Sequence, residues 1–314
     1  MLPPLSLPAD ELPHSFFAEW WYVNGHLVSD SGNAYGLHYV IFQVQEPITG
    51  RPIYVGQLGF TDLKSGSHVT EEAVSNIPAV VSGDRFDLRV GTWEMQGDGR
   101  TYRLVAQTED VSFDLDLTVQ SPAMLHDRDG LVDFQQAGVS YYYSRPRLDV
   151  KGLVTTADGA EHVTGLAWLD KQWGNFLPIA VSWDWTSINL DDGTDVMLSV
   201  VKDSEGEEFL KYGTLAKKDG SVRYLNAQEF QFIAGADTWE SAETGGTYPV
   251  AWEVSVPDEG INLRLEALVP ASEFISQSFK NVYWEGAMTV TGTFGTNEVT
   301  GQAFVELTGR AQVP

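Results

Sequence analysis

The chain contains no cysteine. That excludes disulfides, thiolate nucleophiles and cysteine-ligated metals, and it leaves the compartment open. Basic residues are scarce: 19 Lys and Arg stand against 44 Asp and Glu, for a formal net charge of −25. Scattered cations cannot make the basic track that a phosphate backbone requires, so nucleic acid is not an expected partner. Anionic membrane surfaces are disfavoured for the same reason. No run of about 18 apolar residues exists, so stable membrane insertion through a helix is not expected either. The phosphate-binding glycine loop, the G-x-S-x-G elbow and the H-E-x-x-H pair are all missing. The six histidines, at positions 14, 26, 38, 68, 126 and 162, lie far apart in the sequence. His26 and His38 could meet across a hairpin, but polar packing explains them more simply than a metal does. No metal, nucleotide or other cofactor is expected. Met1 to Asp10 is Pro-rich and lacks the basic start and apolar run of a signal peptide. The residues do not separate a cytoplasmic from a periplasmic or secreted location, and oligomeric state is not legible.

What is abundant is aromatic. Phe, Trp and Tyr make up 12% of the chain, with ten Trp among them. Such residues suit sheets and apolar pockets, because they carry large apolar area with a polar handle. From Phe16 onward, short apolar or alternating runs dominate. In one of them Val111, Phe113, Leu115, Leu117 and Val119 alternate with Ser112, Asp114, Asp116 and Thr118. That is a half-buried strand with one wet face. Asp98-Gly99, Asp158-Gly159, Asp192-Gly193 and Asp219-Gly220 punctuate the runs as hairpin turns. Helical periodicity is weak; Glu71 to Ser75 and Pro270 to Ser278 are the two places for a short helix. Residues 1–15, with four prolines among the first thirteen, read as an extended arm.

The chain also repeats itself. Val150-Lys151-Gly152, a turn, and Val163-Thr164-Gly165-Leu166-Ala167-Trp168 are echoed by Val290-Thr291-Gly292, a shorter turn, and Val299-Thr300-Gly301-Gln302-Ala303-Phe304. At the other end of each half, Trp21 leads through Asp30-Ser31-Gly32 to Tyr35, Leu37 and Tyr39. Trp185 leads through Asp191-Asp192-Gly193 to Val196, Leu198 and Val200. Features recurring in one order predict two copies of an all-β unit, built as antiparallel barrels or sandwiches. At 314 residues the chain can bury two cores. Asn175 to Ala180 reads as the linker, giving domains at 16–178 and 179–314.

Four clusters stand out chemically. In Glu19-Trp20-Trp21-Tyr22, adjacent Trp residues point to opposite faces of a strand. In Tyr141-Tyr142-Tyr143-Ser144-Arg145-Pro146-Arg147, alternation places Tyr141, Tyr143 and Arg145 on one face, where an inward Arg requires an acceptor. Trp168-Leu169-Asp170-Lys171-Gln172-Trp173-Gly174 sets ionisable groups between two Trp. The fourth is Tyr283-Trp284-Glu285-Gly286. Packed strand ends with paired charges are the simpler account of each cluster.

These clusters, with Gly25-His26-Leu27, Trp183-Asp184-Trp185 and Glu306-Leu307-Thr308-Gly309, resemble the signature of the AttH-like, carotenoid 1,2-hydratase-like family. The resemblance runs from about Phe16 to Gly309. It implies two tandem lipocalin-like antiparallel β-barrels. It also implies the family's chemistry, which includes hydration of carotenoid end groups and, in related fungal two-barrel proteins, Diels–Alder cyclisation of polyenes. Where the hydratases show Asp-His-(Gln or Glu)-Trp-Gly, this chain has Asp170-Lys171-Gln172-Trp173-Gly174. Asp170 is the expected acid toward carbon, provided burial raises its pKa, and Trp173 the expected cation-facing wall. A cationic Lys171 would oppose both and would suit a carbonyl-bearing substrate instead.

The expected activity is therefore hydration or cyclisation of an extended apolar polyene or isoprenoid at a C=C bond. The alternatives are a pericyclase acting on a carbonyl-bearing polyene and a lipid or pigment carrier without turnover. Asp170, Lys171 and Arg145 are the candidate catalytic residues. Trp21, Tyr141, Tyr143, Trp173, Trp185 and Trp284 are the candidate substrate-binding residues.

Overall fold

Burial along the strands follows the alternation read from the sequence. In Ser112–Val119, Phe113, Leu115 and Leu117 are buried while Asp114, Asp116 and Thr118 are exposed. The computed structural model describes residues 2–46 and 49–314. Among them the only helical segments are 3-10 turns at Ala9–Glu11, Gln135–Ala137, Pro178–Ala180 and Pro257–Glu259. The chain divides into two compact units, Met1–Ser65 with Val69–Leu177, and Gly66–His68 with Pro178–Pro314.

The strands of the first sheet are β1 (Ala18–Ser29), β2 (Ala34–Gln45), β3 (Pro52–Asp62), β4 (Ser67–Ser75), β5 (Val80–Ser82), β6 (Arg85–Val90) and β7 (Trp93–Gly97). They continue as β8 (Thr101–Gln107), β9 (Ser112–Val119), β10 (Met124–Leu125), β11 (Leu131–Asp133), β12 (Gly138–Thr156) and β13 (Gly159–Phe176). Their order is β4-β3-β2-β1-β13-β12-β9-β8-β7-β6-β5, with β10 and β11 paired to β12. The sheet curls until β3 comes against β6 and β7. A Cβ on Gly56 of β3 would stand 2.8 Å from the Trp93 ring and 3.6 Å from Val90. Trp21, Tyr39, Phe86, Trp93, Phe113 and Leu169 are among the residues that fill the barrel.

The second sheet begins with β14 (Ser182–Leu190), β15 (Asp195–Lys202), β16 (Glu208–Ala216), β17 (Val222–Leu225) and β18 (Gln231–Ala234). A small hairpin, β19 (Thr238–Glu240) and β20 (Thr247–Pro249), stands apart from it. The sheet resumes with β21 (Ala251–Val256), β22 (Ile261–Ala267), β23 (Glu273–Ser276), β24 (Asn281–Phe294) and β25 (Asn297–Thr308). Its order is β17-β16-β15-β14-β25-β24-β22-β21-β18, with β23 on β24. The repeated hairpins, β12–β13 and β24–β25, thus hold the same position: the second strand of each pairs with the first strand of its unit. Tyr35, Leu37 and Tyr39 face the first core, and Val196, Leu198 and Val200 the second.

Five expectations require correction. Glu71–Ser75 lies in β4 and Glu273–Ser276 forms β23; neither is helical. Sheet pairing overrides the local composition, and Phe274 of β23 stacks on Tyr283 at 5.0 Å. Asn175 and Phe176, expected in the linker, complete β13. The arm is not merely extended: it carries the turn Ala9–Glu11 and buries Glu11 completely. Finally, Trp185 is not the counterpart of Trp21. Six residues before Asp191 stands Trp185, and six before Asp30 stands Asn24.

Candidate functional site

Strands β1, β13 and β12 are neighbours, and they carry the first three clusters. Tyr22 and Ser144 flank Asp170 across the sheet, and Trp21 and Tyr143 flank Lys171. Strand alternation then splits the residues into two sets on opposite faces. Trp21 and Leu169 belong to the barrel core, so Lys171, Trp173, Tyr141, Tyr143 and Arg145 share the core-facing side. Trp168, Asp170, Tyr142 and Ser144 face away from it. Asp170 and Lys171, adjacent in sequence, therefore do not form one constellation.

The outward set is built around a buried acid. Asp170 is 4% exposed. Its Oδ1 accepts hydrogen bonds from Ser144 Oγ and Trp168 Nε1, each at 2.5 Å, and its Oδ2 accepts one from the Tyr142 hydroxyl. Burial pushes the carboxyl up to about 6, although all three donors pull it down. Lys171 has no part in that shift. His126 Nε2 lies 2.7 Å from Ser144 Oγ, and its ring centroid is 4.0 Å from that of Tyr142. Because Ser144 donates to the carboxylate, His126 donates to Ser144, which fixes the Nε2–H tautomer. Burial holds that imidazole down at about 3, so it is neutral. A tight turn positions it: Asp127 and Arg128 take φ of 46° and 74°, and Tyr142 N donates to Gly130 O at 2.8 Å. The chain His126–Ser144–Asp170 is a continuous donor path ending on an acid poised near neutrality.

The core-facing set is closed by charge pairing. Lys171 is fully buried, bonds Glu19 Oε1, and lies 3.5 Å from the Trp21 ring centroid and 5.0 Å from that of Trp173. Burial lowers its pKa to about 8 against the opposing pull of Glu19. Glu19 also accepts from His14 N at 2.7 Å and Gln43 Nε2 at 3.2 Å. The His14 ring stacks on Trp173 at 4.5 Å, and Tyr141 stacks on it at 5.0 Å. Arg145 finds its acceptor on the arm. Its Nε stands 3.0 Å from Glu11 Oε1 and 3.0 Å from the Tyr102 hydroxyl, and its Nη2 also bonds Glu11.

Trp185 and Trp284 belong to the second unit. Trp284 is fully buried in that barrel's core and donates to Pro270 O at 2.7 Å, while Trp185 is 5% exposed and lies outside the core cluster. His26 pairs with Gly36 and His38 with Asn24, so the two histidines do not face each other. Among the described residues no group of His, Asp and Glu is arranged to hold a metal. Sequence reasoning missed His126, Glu11 and Tyr102. It quoted Tyr142 and Ser144 but assigned them no role; their alternation with Tyr141 and Tyr143 was the available signal.

Residues 2–310 match the family model described as AttH-like. A protein from Nitrosomonas europaea described as an AttH superposes with a TM-score of 0.87 at 28% identity, covering 98% of each chain. Kievitone hydratase from Nectria haematococca gives a TM-score of 0.80 at 18% identity, covering 98% of this chain and 94% of its own. CghA gives 0.61 at 11%, covering 99% and 95%. The last two are likenesses of fold: a pair of lipocalin-like barrels in tandem. No curated protein matches the sequence.

Proposed function

Because this chain belongs to the AttH-like family, we propose that it is an enzyme of the hydratase and cyclase type. It acts at a C=C bond of an extended apolar polyene or isoprenoid, with Asp170 as the proton donor. The observation that carries this reading is the buried Asp170, raised to about 6 and joined to Tyr142, Ser144, Trp168 and His126. A carboxyl poised there holds a proton for a useful fraction of the time at neutral pH and still releases it to a strong acceptor.

In this mechanism the Asp170 proton goes to one carbon, whose new C–H bond takes the alkene electron pair. The neighbouring carbon becomes cationic, facing the aromatic rings of Trp168 and Tyr142 and the newly ionised carboxylate. Water adds to the cation and loses a proton, which returns to Asp170. When the product is cyclised, a second double bond of the same chain attacks instead, and the new cation so formed loses a proton from its neighbouring carbon back to the Asp170 carboxylate. Lys171 and Arg145 are already matched to Glu19 and Glu11. That pairing counts against a carbonyl-polarising role and favours acid chemistry over the pericyclase alternative.

The test is product analysis after incubation with isoprenoids and polyenes in deuterated water. Deuterium at carbon and loss of turnover in Asp170→Asn are expected. Products without carbon deuterium would point to a pericyclase, and ligands returned unchanged to a carrier. Full activity in Asp170→Asn would remove Asp170 from the mechanism.

A further inference from the structure

Arg145 is a buried cation whose carboxylate comes from a segment 134 residues away in sequence. Glu11 is seated as a ligand would be. Its Oε1 takes the guanidinium, and its Oε2 takes the Tyr102 hydroxyl at 2.8 Å. Gly99, at φ +79°, leaves it room, since a Cβ there would stand 2.9 Å from Oε1. The Tyr143 hydroxyl beside it is fully buried and has no hydrogen-bond partner of good geometry. The guanidinium carbon lies 5.8 Å from the centroid of that tyrosine's ring. The rest of the arm supplies apolar body: Leu5 and Leu7, with Phe16 just beyond it, pack against Tyr141, Tyr143 and Trp173.

We propose that this corner of the first barrel is a recognition site for an apolar carboxylic acid. The arm occupies the site as an internal stand-in, and Glu11 holds the place of the ligand's carboxylate. The chemistry of the vacancy selects the class. Withdrawing the arm strips Arg145 of its counter-charge, and a buried unpaired cation is strongly unfavourable. The open state is therefore populated only when another carboxylate takes the fork, and Tyr143 provides that carboxylate with a further donor. Lys171 keeps its own partner Glu19, so a single carboxylate suffices. Around Glu11 the arm's other polar ties are two, Tyr141 donating to Pro3 O at 2.6 Å and Trp21 Nε1 to Glu11 O at 3.3 Å, while at its base His14 stays anchored to Glu19 and Gln43. The proposal is independent of the reaction assigned to Asp170, which lies on the other face of the sheet.

The experiment titrates the full chain with dodecanoate and with methyl dodecanoate, reading Trp fluorescence and amide hydrogen exchange across residues 5–12. In the folded state Asp10 N bonds Ser6 O at 2.9 Å and Glu11 N bonds Pro8 O at 3.0 Å, so these amides report arm release. Dodecanoate is expected to bind, to accelerate arm exchange, and to bind Glu11→Gln at least about tenfold more tightly than wild type, because the competing charged partner is gone. The ester should do none of these, and Arg145→Lys, which keeps the charge but loses the fork, should weaken the acid's binding. Binding of acid and ester alike, binding without faster arm exchange, or no dodecanoate binding to wild type or to folded Glu11→Gln would overturn the proposal. Should Glu11→Gln not fold, the wild-type comparison of acid and ester decides alone.

Discussion

Replacing Asp170 by Asn should stabilise the protein at neutral pH while abolishing its chemistry. The substitution keeps the shape of the site and two of its three hydrogen bonds, and it reverses the third. Asn Oδ1 accepts from Ser144 and Trp168 as Asp Oδ1 does, and the new amide donates to the Tyr142 oxygen in place of accepting from it. What it removes is a charge that burial disfavours. In the folded chain the carboxyl is raised from 3.8 to about 6. Below about pH 4 both folded and unfolded chains hold the proton, and the site's contribution to stability is fully present. Between about pH 4 and pH 6 the unfolded chain releases it first, so that contribution falls as pH rises. Above about pH 6 the full penalty applies, on the order of 3 kcal/mol. Asp170→Asn carries no such penalty. Urea unfolding of both proteins from about pH 4 to pH 8 gives the difference directly, since the other carboxylates titrate alike in both. The stability of the variant relative to wild type should climb by up to about 3 kcal/mol across that window and then level off. A difference that is flat, or that falls with pH, would refute a raised Asp170 pKa and with it the acid on which the proposed reaction depends.

The Lys171–Glu19 pair makes a second prediction. Glu19→Gln leaves a buried ammonium against Trp21 and Trp173 and should cost about 3–5 kcal/mol, whereas Glu19→Gln with Lys171→Met should recover most of that loss in a denaturation-based double-mutant cycle. A third concerns Gly59, where a Cβ would stand 2.2 Å from the His38 ring. Gly59→Ala should lower stability by about 1–3 kcal/mol in a thermal or urea melt, with no direct effect on the Asp170 site.

The β-pattern was open to reading because each strand carries its own alternation: Phe113, Leu115 and Leu117 declare a face without any knowledge of neighbours. The repeat was equally open, since its turns and glycines survive in both halves. The faces of Asp170 and Lys171 were half legible. Alternation separates them, but which side is core depends on Trp21 and Leu169 being inside, and that follows from pairing. The acceptor of Arg145 could be demanded from its inward position, yet Glu11 could not be named, because a Pro-rich arm has no periodicity to mark the residue that turns inward. His126 was hidden for a related reason. Its approach to Ser144 is set by a two-residue left-handed turn at Asp127 and Arg128, and neither residue type demands that conformation.

Each barrel joins its first strand to its last. β1 pairs with β13, so Ala18 meets Gly174, and β14 pairs with β25, so Asp184 meets Leu307. A chain emerging from the ribosome must therefore carry β1 with an open edge until almost the whole first unit has been made. Such long-range closure is slow, and apolar strands waiting with unpaired edges invite association with other nascent chains. The acidic surface bears on this interval, because like charge on every emerging copy keeps the copies apart. The order of synthesis helps as well. Phe176 completes the first sheet only two residues before Pro178, so the first barrel can seal before the strands of the second compete for its edges.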